Sequence, residues 1–226
     1  TGTQLEGLKG APADFDTFPL GDSNGTVLTT GCNYPSVRTA TAAFKGGAYS
    51  PHISEGINAG AENEMTCLSS TLIRSDTAII HAVGINARDV DTIAKAHAKV
   101  IWSARTNIDL YGNTAPVTEL KAAGVTIALG TDWTASGSMN MLRELKCADS
   151  LNDKYYDKHF TDADLWRMVT SNAATAVGAG KVVGSLKPGY LADIAVFDGS
   201  KAKDHRAVLE AGVEDVALVL RGGKAL

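Results

Sequence analysis

Val125-Thr126-Ile127-Ala128-Leu129-Gly130-Thr131-Asp132 is a short apolar run closed by a glycine and a carboxylate. A run of this length, with little polar alternation, fits a strand buried on both faces. The residues before it read as a helix. Pro116 falls in its first turn, Val117 and Leu120 form its apolar face, and Gly124 stands where a helix-ending glycine belongs. A helix followed by a buried strand is the repeat unit of a parallel sheet.

The unit recurs upstream. Tyr49-Ser50-Pro51-His52-Ile53 reads as a strand, and the helix after it places Ala61, Met65, Leu68 and Leu72 on one face. Ala78-Ile79-Ile80-His81-Ala82-Val83 is the next strand. Its helix starts at Asn86, a good N-cap, and buries Val90, Ile93 and Ala94. Val100-Ile101-Trp102-Ser103 follows, then a polar loop up to the Pro116 helix. The strand ends at His52, His81, Trp102 and Asp132 recur every 21 to 30 residues, about what one strand, one helix and two loops need. Ionisable residues thus collect at the C-terminal ends of parallel strands, where barrels and open doubly wound sheets place active sites. No glycine-rich phosphate loop follows any strand, which argues against a nucleotide site.

Downstream, a helix is expected from Ser138, carrying Met139, Leu142 and Leu145. Another is expected from Thr161, with Asp162 and Asp164 near its positive end. After Gly178-Ala179-Gly180, the stretches 191–197 and 216–220 read as strands too few to stand alone. In the first 44 residues, 4–8 and 26–30 are candidate strands with a Gly-, Pro- and Asp-rich loop between them. This makes about six barrel-type strands, against the eight that closure requires. The expectation is an α/β chain: a (β/α)8 TIM barrel incomplete at its N-terminus over residues 1–180, then strands of a small β-subdomain over 181–226.

The chain has 226 residues, 44% hydrophobic and 20% charged, with a net charge of −4. That balance does not suit nucleic acid, and no apolar stretch is long enough to span a membrane. Cys32, Cys67 and Cys147 make neither a CxxC nor a disulfide framework. Cys67 and Cys147 read as small core residues, so a reducing, cytoplasmic setting is expected.

His52, His81 and Asp132 are metal-capable residues at three strand ends. Imidazole and carboxylate are the usual ligands of catalytic zinc, which keeps one position open for water and acidifies it. Glu55, three residues after His52, reaches the same pocket only from a loop past the strand end, and Gly56 allows such a turn. A histidine on an apolar strand is often only a hydrogen-bonded core group; the shared strand-end position and the nearby carboxylate favour function here. Trp133 is weighed evenly between pocket wall and packing. His97, His159 and His205 lie in polar contexts and read as solvated.

In combination, Pro-His-Ile-Ser-Glu at 51–55, Ile-His-Ala at 80–82, Trp-Ser-Ala-Arg-Thr-Asn-Ile-Asp-Leu-Tyr-Gly at 102–112 and Leu-Gly-Thr-Asp-Trp at 129–133 resemble the amidohydrolase superfamily, in its deaminase and triazine-hydrolase branch. Ser-Asn-Ala-Ala at 171–174 and the run 184–193 resemble that family's passage from barrel to β-subdomain. The resemblance implies that His52 binds metal, that Glu55 is the acid/base, and that His81 binds metal or contacts the water or substrate. It further implies that Asp132 holds metal and helps activate water, and that Arg105 and Asn107 sit on a loop shaping the substrate pocket. Ala104 stands where this branch often has proline. The family's first-strand His-x-His is absent: the histidines are at 52, 81, 97, 159 and 205. A fragment with an incomplete metal site is therefore expected.

The leading expectation is a metal-dependent hydrolase that cleaves a C–N bond of a small substrate, with zinc as cofactor, iron as the alternative, and homo-oligomers implied by the resemblance. The competing expectation is a catalytically incomplete fragment or a non-enzymatic scaffold.

Overall fold

The computed structural model describes residues 13–45, 47–68 and 70–226. Five parallel strands form one sheet: β1 (Ala13–Asp16), β2 (Ala48–Ile53), β3 (Ala78–His81), β4 (Lys99–Trp102) and β5 (Thr126–Leu129). Their spatial order follows the chain order without reversal. Successive strands of a barrel are added this way, whereas a doubly wound sheet reverses at a switch point. The connecting helices are α1 (Ala40–Ala43), α2 (Ala59–Cys67), α3 (Ala87–Lys95), α4 (Ala104–Tyr111) and α5 (Val117–Ala122). After β5 come α6 (Met141–Lys154), α7 (Asp162–Met168) and α8 (Ser171–Ala176). An antiparallel sheet of β6 (Ile194–Phe197), β7 (Val216–Arg221) and β8 (Lys224–Ala225) follows, with α9 (Asp204–Leu209) between β6 and β7.

The two sheet faces bury different side chains. Ile53, Ile79, Val100, Trp102, Ile127 and Leu129 pack into the main core with the helices. The opposite face carries small residues, Ala78 and Ala128 beside Ile101, against Ala173 and Ala176 at the C-terminal stretch of α8. Buried on both sides, these strands read as apolar runs. Local signals set the helix ends. Asn86 and Thr161 each make a reciprocal capping box, with Asp89 and Asp164. Gly124 takes the left-handed φ of 77° that ends α5.

Several expectations need correction. Residues 26–30 form no strand, because Asn24 Oδ1 accepts from both the Thr26 amide and hydroxyl and turns the chain locally. The N-terminal strand found is β1, in the stretch read as a loop; Arg38 bridges its Asp14 and Asp16 at 2.6 and 3.0 Å. The candidate strand at 4–8 lies outside the described residues. The helix after β2, α2, stops at Cys67, and Leu68 and Leu72 are buried in the turns after it. The polar loop after β4 is instead α4. Its inward residues Thr106 and Asn107 are polar and hydrogen-bonded, so no apolar stripe shows. The helix placed at Ser138 begins after Asn140, whose side chain accepts from Arg143 N at 3.0 Å, and Met139 is exposed.

Cys32 and Cys67 form a disulfide across 35 residues, which overturns the reading of unpaired thiols and removes the ground for a reducing compartment. No helix among the described residues is long and apolar enough to cross a membrane.

Candidate metal centre

His52 lies near the end of β2, in register with Ile80, Ile101 and Ala128 on the small-residue face. His81 pairs in register with Ile53, so regular pleating would turn it to the other face. It does not stay there, because its φ is 72°. Rotation about N–Cα into the left-handed region swings the imidazole across, and the two rings stand 5.1 Å apart between centroids. Asp132 also has a positive φ, 57°, in the loop after β5. That loop folds tightly: Ser138 N–H reaches the Thr131 carbonyl at 3.1 Å, and a Cβ at Gly137 would overlap that carbonyl. One ligand atom each from His52, His81 and Asp132 lies within 4.8 Å of the others.

Both imidazoles are held from behind. His52 Nδ1 is 3.1 Å from the Asp16 carbonyl, which can only accept, so Nδ1 carries the proton and the Nε2 lone pair is left available. His81 Nδ1 is 3.1 Å from Asn107 Oδ1. Asn107 Nδ2 donates to Thr114 Oγ1 at 3.2 Å, and Trp102 Nε1 donates to the same oxygen at 2.6 Å. That chain points the amide oxygen at His81 and again leaves Nε2 free. Burial holds the His81 pKa below its usual value, with Glu55 pulling the other way and His52 adding to the fall. A neutral imidazole is the form that ligates a metal.

A set of two imidazole nitrogens and one carboxylate is the donor chemistry that suits a divalent ion such as zinc. These residues fit the metal that the amidohydrolase resemblance implies.

Glu55 follows Ser54, whose φ is 55°, and precedes Gly56 at 151°. This turn carries Glu55 off the strand, with Oε2 3.3 Å from His81 Nε2 and Oε1 accepting from the Tyr111 hydroxyl at 2.9 Å. Phe18, Asp22, His52, Glu55 and Glu64 help to line a cavity of about 160 Å³. A larger hollow of about 620 Å³ is lined by salt-bridged groups such as Asp149, Asp162 and Arg206 and by none of the predicted site residues.

The remaining sequence candidates scatter. Asn107 is fully buried behind His81 and lines no pocket wall. Arg105 turns away on α4, with Nε donating to Ser138 Oγ at 2.7 Å and its amide to Glu144 Oε1 at 3.2 Å. Trp133 is 61% exposed beside Asp132. Sequence reasoning missed Tyr111, Asp16 and Glu64. Burial pushes the Glu64 carboxyl up to about 7 against the pull of the Ser54 amide, and the Asp22 and Glu55 charges add to the rise. Only the carboxylate itself, on a half-buried helix, marked Glu64 in the sequence.

The amidohydrolase family model matches residues 37–226. The chain belongs to the amidohydrolase family. Among its relatives, a 5-methylthioadenosine/S-adenosylhomocysteine deaminase of Thermococcus onnurineus is 37% identical over 129 residues, 56% of this chain and 30% of that protein. A 5'-deoxyadenosine deaminase of Methanopyrus kandleri is 30% identical over 135 residues, 58% of this chain and 31% of that protein. The matched stretch covers about 30% of the length of each of these curated relatives. Its fold is similar to a zinc-bound adenosine deaminase from Xanthomonas campestris, with a TM-score of 0.71 and 22% identity over 79% of this chain and 45% of that one. It is also similar to a zinc complex of atrazine chlorohydrolase from Arthrobacter aurescens, with a TM-score of 0.67 and 23% identity over 79% and 44%.

Proposed function

We propose that this protein is a metal-dependent hydrolase that breaks a C–N bond of a small molecule, in the manner of a deaminase. The observation that carries this reading is the convergence of the His52, His81 and Asp132 donor atoms within 4.8 Å, with a Glu55 oxygen 3.3 Å from His81 Nε2. The deaminase names of the relatives support the bond type, and the zinc in two structural neighbours supports the metal.

His52, His81 and Asp132 would hold the ion, zinc with iron as the alternative. When bound there, a divalent ion supplies a Lewis acid that makes water acidic near neutral pH. Glu55 takes the proton from the attacking water and delivers it to the departing nitrogen, so the new C–O bond forms as the C–N bond breaks. The Tyr111 hydroxyl on Oε1 keeps the Oε2 face of that carboxylate turned to the reaction. Asp132 assists proton removal. Phe18 and Asp22 offer an aromatic surface and an acceptor to a planar, amino-bearing substrate.

The test uses the full-length protein, with metal measured by elemental analysis and ammonia release measured over aminopurine nucleosides and aminotriazines. His52→Ala should lower metal content and turnover together. Survival of both refutes the reading. A wild-type protein without metal and without turnover supports the competing scaffold reading.

A further inference from the structure

We propose that Glu64 is a positioning residue: by gripping the Ser54 peptide, it sets the turn that carries Glu55 to the reacting atoms. This rests on the proton-transfer role of Glu55 proposed above.

Ser54 is fully buried and left-handed, a backbone state that residues with a Cβ avoid. Its own side chain does not stabilise the turn, since Ser54 Oγ has no hydrogen-bond partner among the described residues. Within the turn Gly56 N–H reaches the Ser54 carbonyl at 3.2 Å, and further support comes from outside. Glu64 Oε2 accepts from the Ser54 amide at 2.7 Å, and the Ser54 carbonyl accepts from Gly84 N–H at 2.9 Å. Without Glu64 the amide is a buried donor with no acceptor, a state that folded chains avoid. The strand could then relax toward ordinary φ at Ser54, and Glu55 would leave its place beside His81 and its hydrogen bond from Tyr111.

Glu64 is well placed to act as a fixed anchor. It sits on α2, whose start is capped by Asn58 and whose last residue, Cys67, is bonded to Cys32. Its known hydrogen bond goes to a main-chain group and to none of the three metal-capable residues. A loss at Glu64 should therefore reach the chemistry through Glu55 and leave metal content alone.

The test compares Glu64→Gln, which keeps an oxygen acceptor of the same reach, with Glu64→Met, which keeps the shape without the acceptor. Both are made in the full-length protein. In Glu64→Met, kcat should fall about 100-fold, as misplaced catalytic groups do, with KM and metal content unchanged. Glu64→Gln should restore kcat to near wild type. The 13Cζ resonance of Tyr111 provides a reading independent of turnover: it should shift in Glu64→Met, where the bond to Glu55 is lost, and stay in place in Glu64→Gln.

Wild-type kcat and an unmoved Tyr111 signal in Glu64→Met overturn the proposal, and so does a Gln variant as slow as the Met variant. If the wild type itself turns nothing over, the proposed function fails, and the Tyr111 signal alone still decides whether Glu64 sets the turn. If Glu64→Met does not fold, Glu64→Asp replaces it. Its shorter carboxylate must lower kcat and shift the Tyr111 signal, and if it does neither the proposal is overturned.

Discussion

Asn107 Oδ1 sits 3.1 Å from His81 Nδ1, with both side chains sealed from solvent. Trp102 and Thr114 extend the contact into the core, so the orientation of one imidazole depends on a chain of hydrogen bonds that starts at a buried indole. Removing Asn107 leaves a buried N–H without a partner, which costs about 1–3 kcal/mol. Asn107→Ala should therefore lower thermal stability and weaken metal affinity about 10–100-fold, as loss of a ligand's supporting bond does. Chelator competition measures the affinity; a wild-type value would show that His81 does not depend on this amide.

Glu55→Gln keeps the shape of the side chain but cannot carry the proton. We expect kcat to fall by about 10²–10⁴ with metal content retained. Tyr111→Phe removes only the 2.9 Å bond to Glu55 Oε1 and should cause a smaller fall. Steady-state kinetics paired with metal analysis distinguishes the two. Loss of metal in Glu55→Gln would mark Glu55 as a ligand instead.

The Cys32–Cys67 bond closes a loop that contains β2 and the His52–Glu55 turn. Cys32→Ser should destabilise the protein by about 2–4 kcal/mol, read as a lower urea midpoint. Alkylation of the unfolded, unreduced protein should label Cys147 alone of the three cysteines. Three labelled thiols would rule the pairing out.

Asp164 makes acid stability testable. Burial tends to raise its pKa, but the Lys121 ammonium and the Thr161 capping bonds outweigh this and bring it to about 2, from an ordinary 3.8. The folded state thus binds this proton less tightly than the unfolded chain. The stabilisation is whole above about pH 4 and is lost as pH falls toward 2. Lys121→Met should flatten the acid limb of a plot of Tm against pH, relative to wild type. Parallel acid limbs would show that Lys121 contributes nothing there.

Much of the architecture was legible because it is written locally. A buried strand needs only a few consecutive apolar residues, and a cap needs one polar side chain within three positions of its amide, as at Asn86 and Thr161. Acidic β1 failed this reading because its partner, Arg38, lies 24 residues beyond Asp14. The α4 helix failed it because Thr106 and Asn107 bury polar groups, which resemble a loop in the sequence.

The sequence by itself determined the strand–helix repeat, the parallel sheet and which imidazoles and carboxylates stand at strand ends, since period and capping act over neighbouring residues. Tertiary structure alone decided that His81 crosses to the face of His52, that Asn107 supports it from a helix, that Arg105 turns away, and that Glu64 reaches Ser54. Those outcomes depend on one left-handed φ and on partners that meet only once the chain has packed, and neither leaves a pattern in consecutive residues.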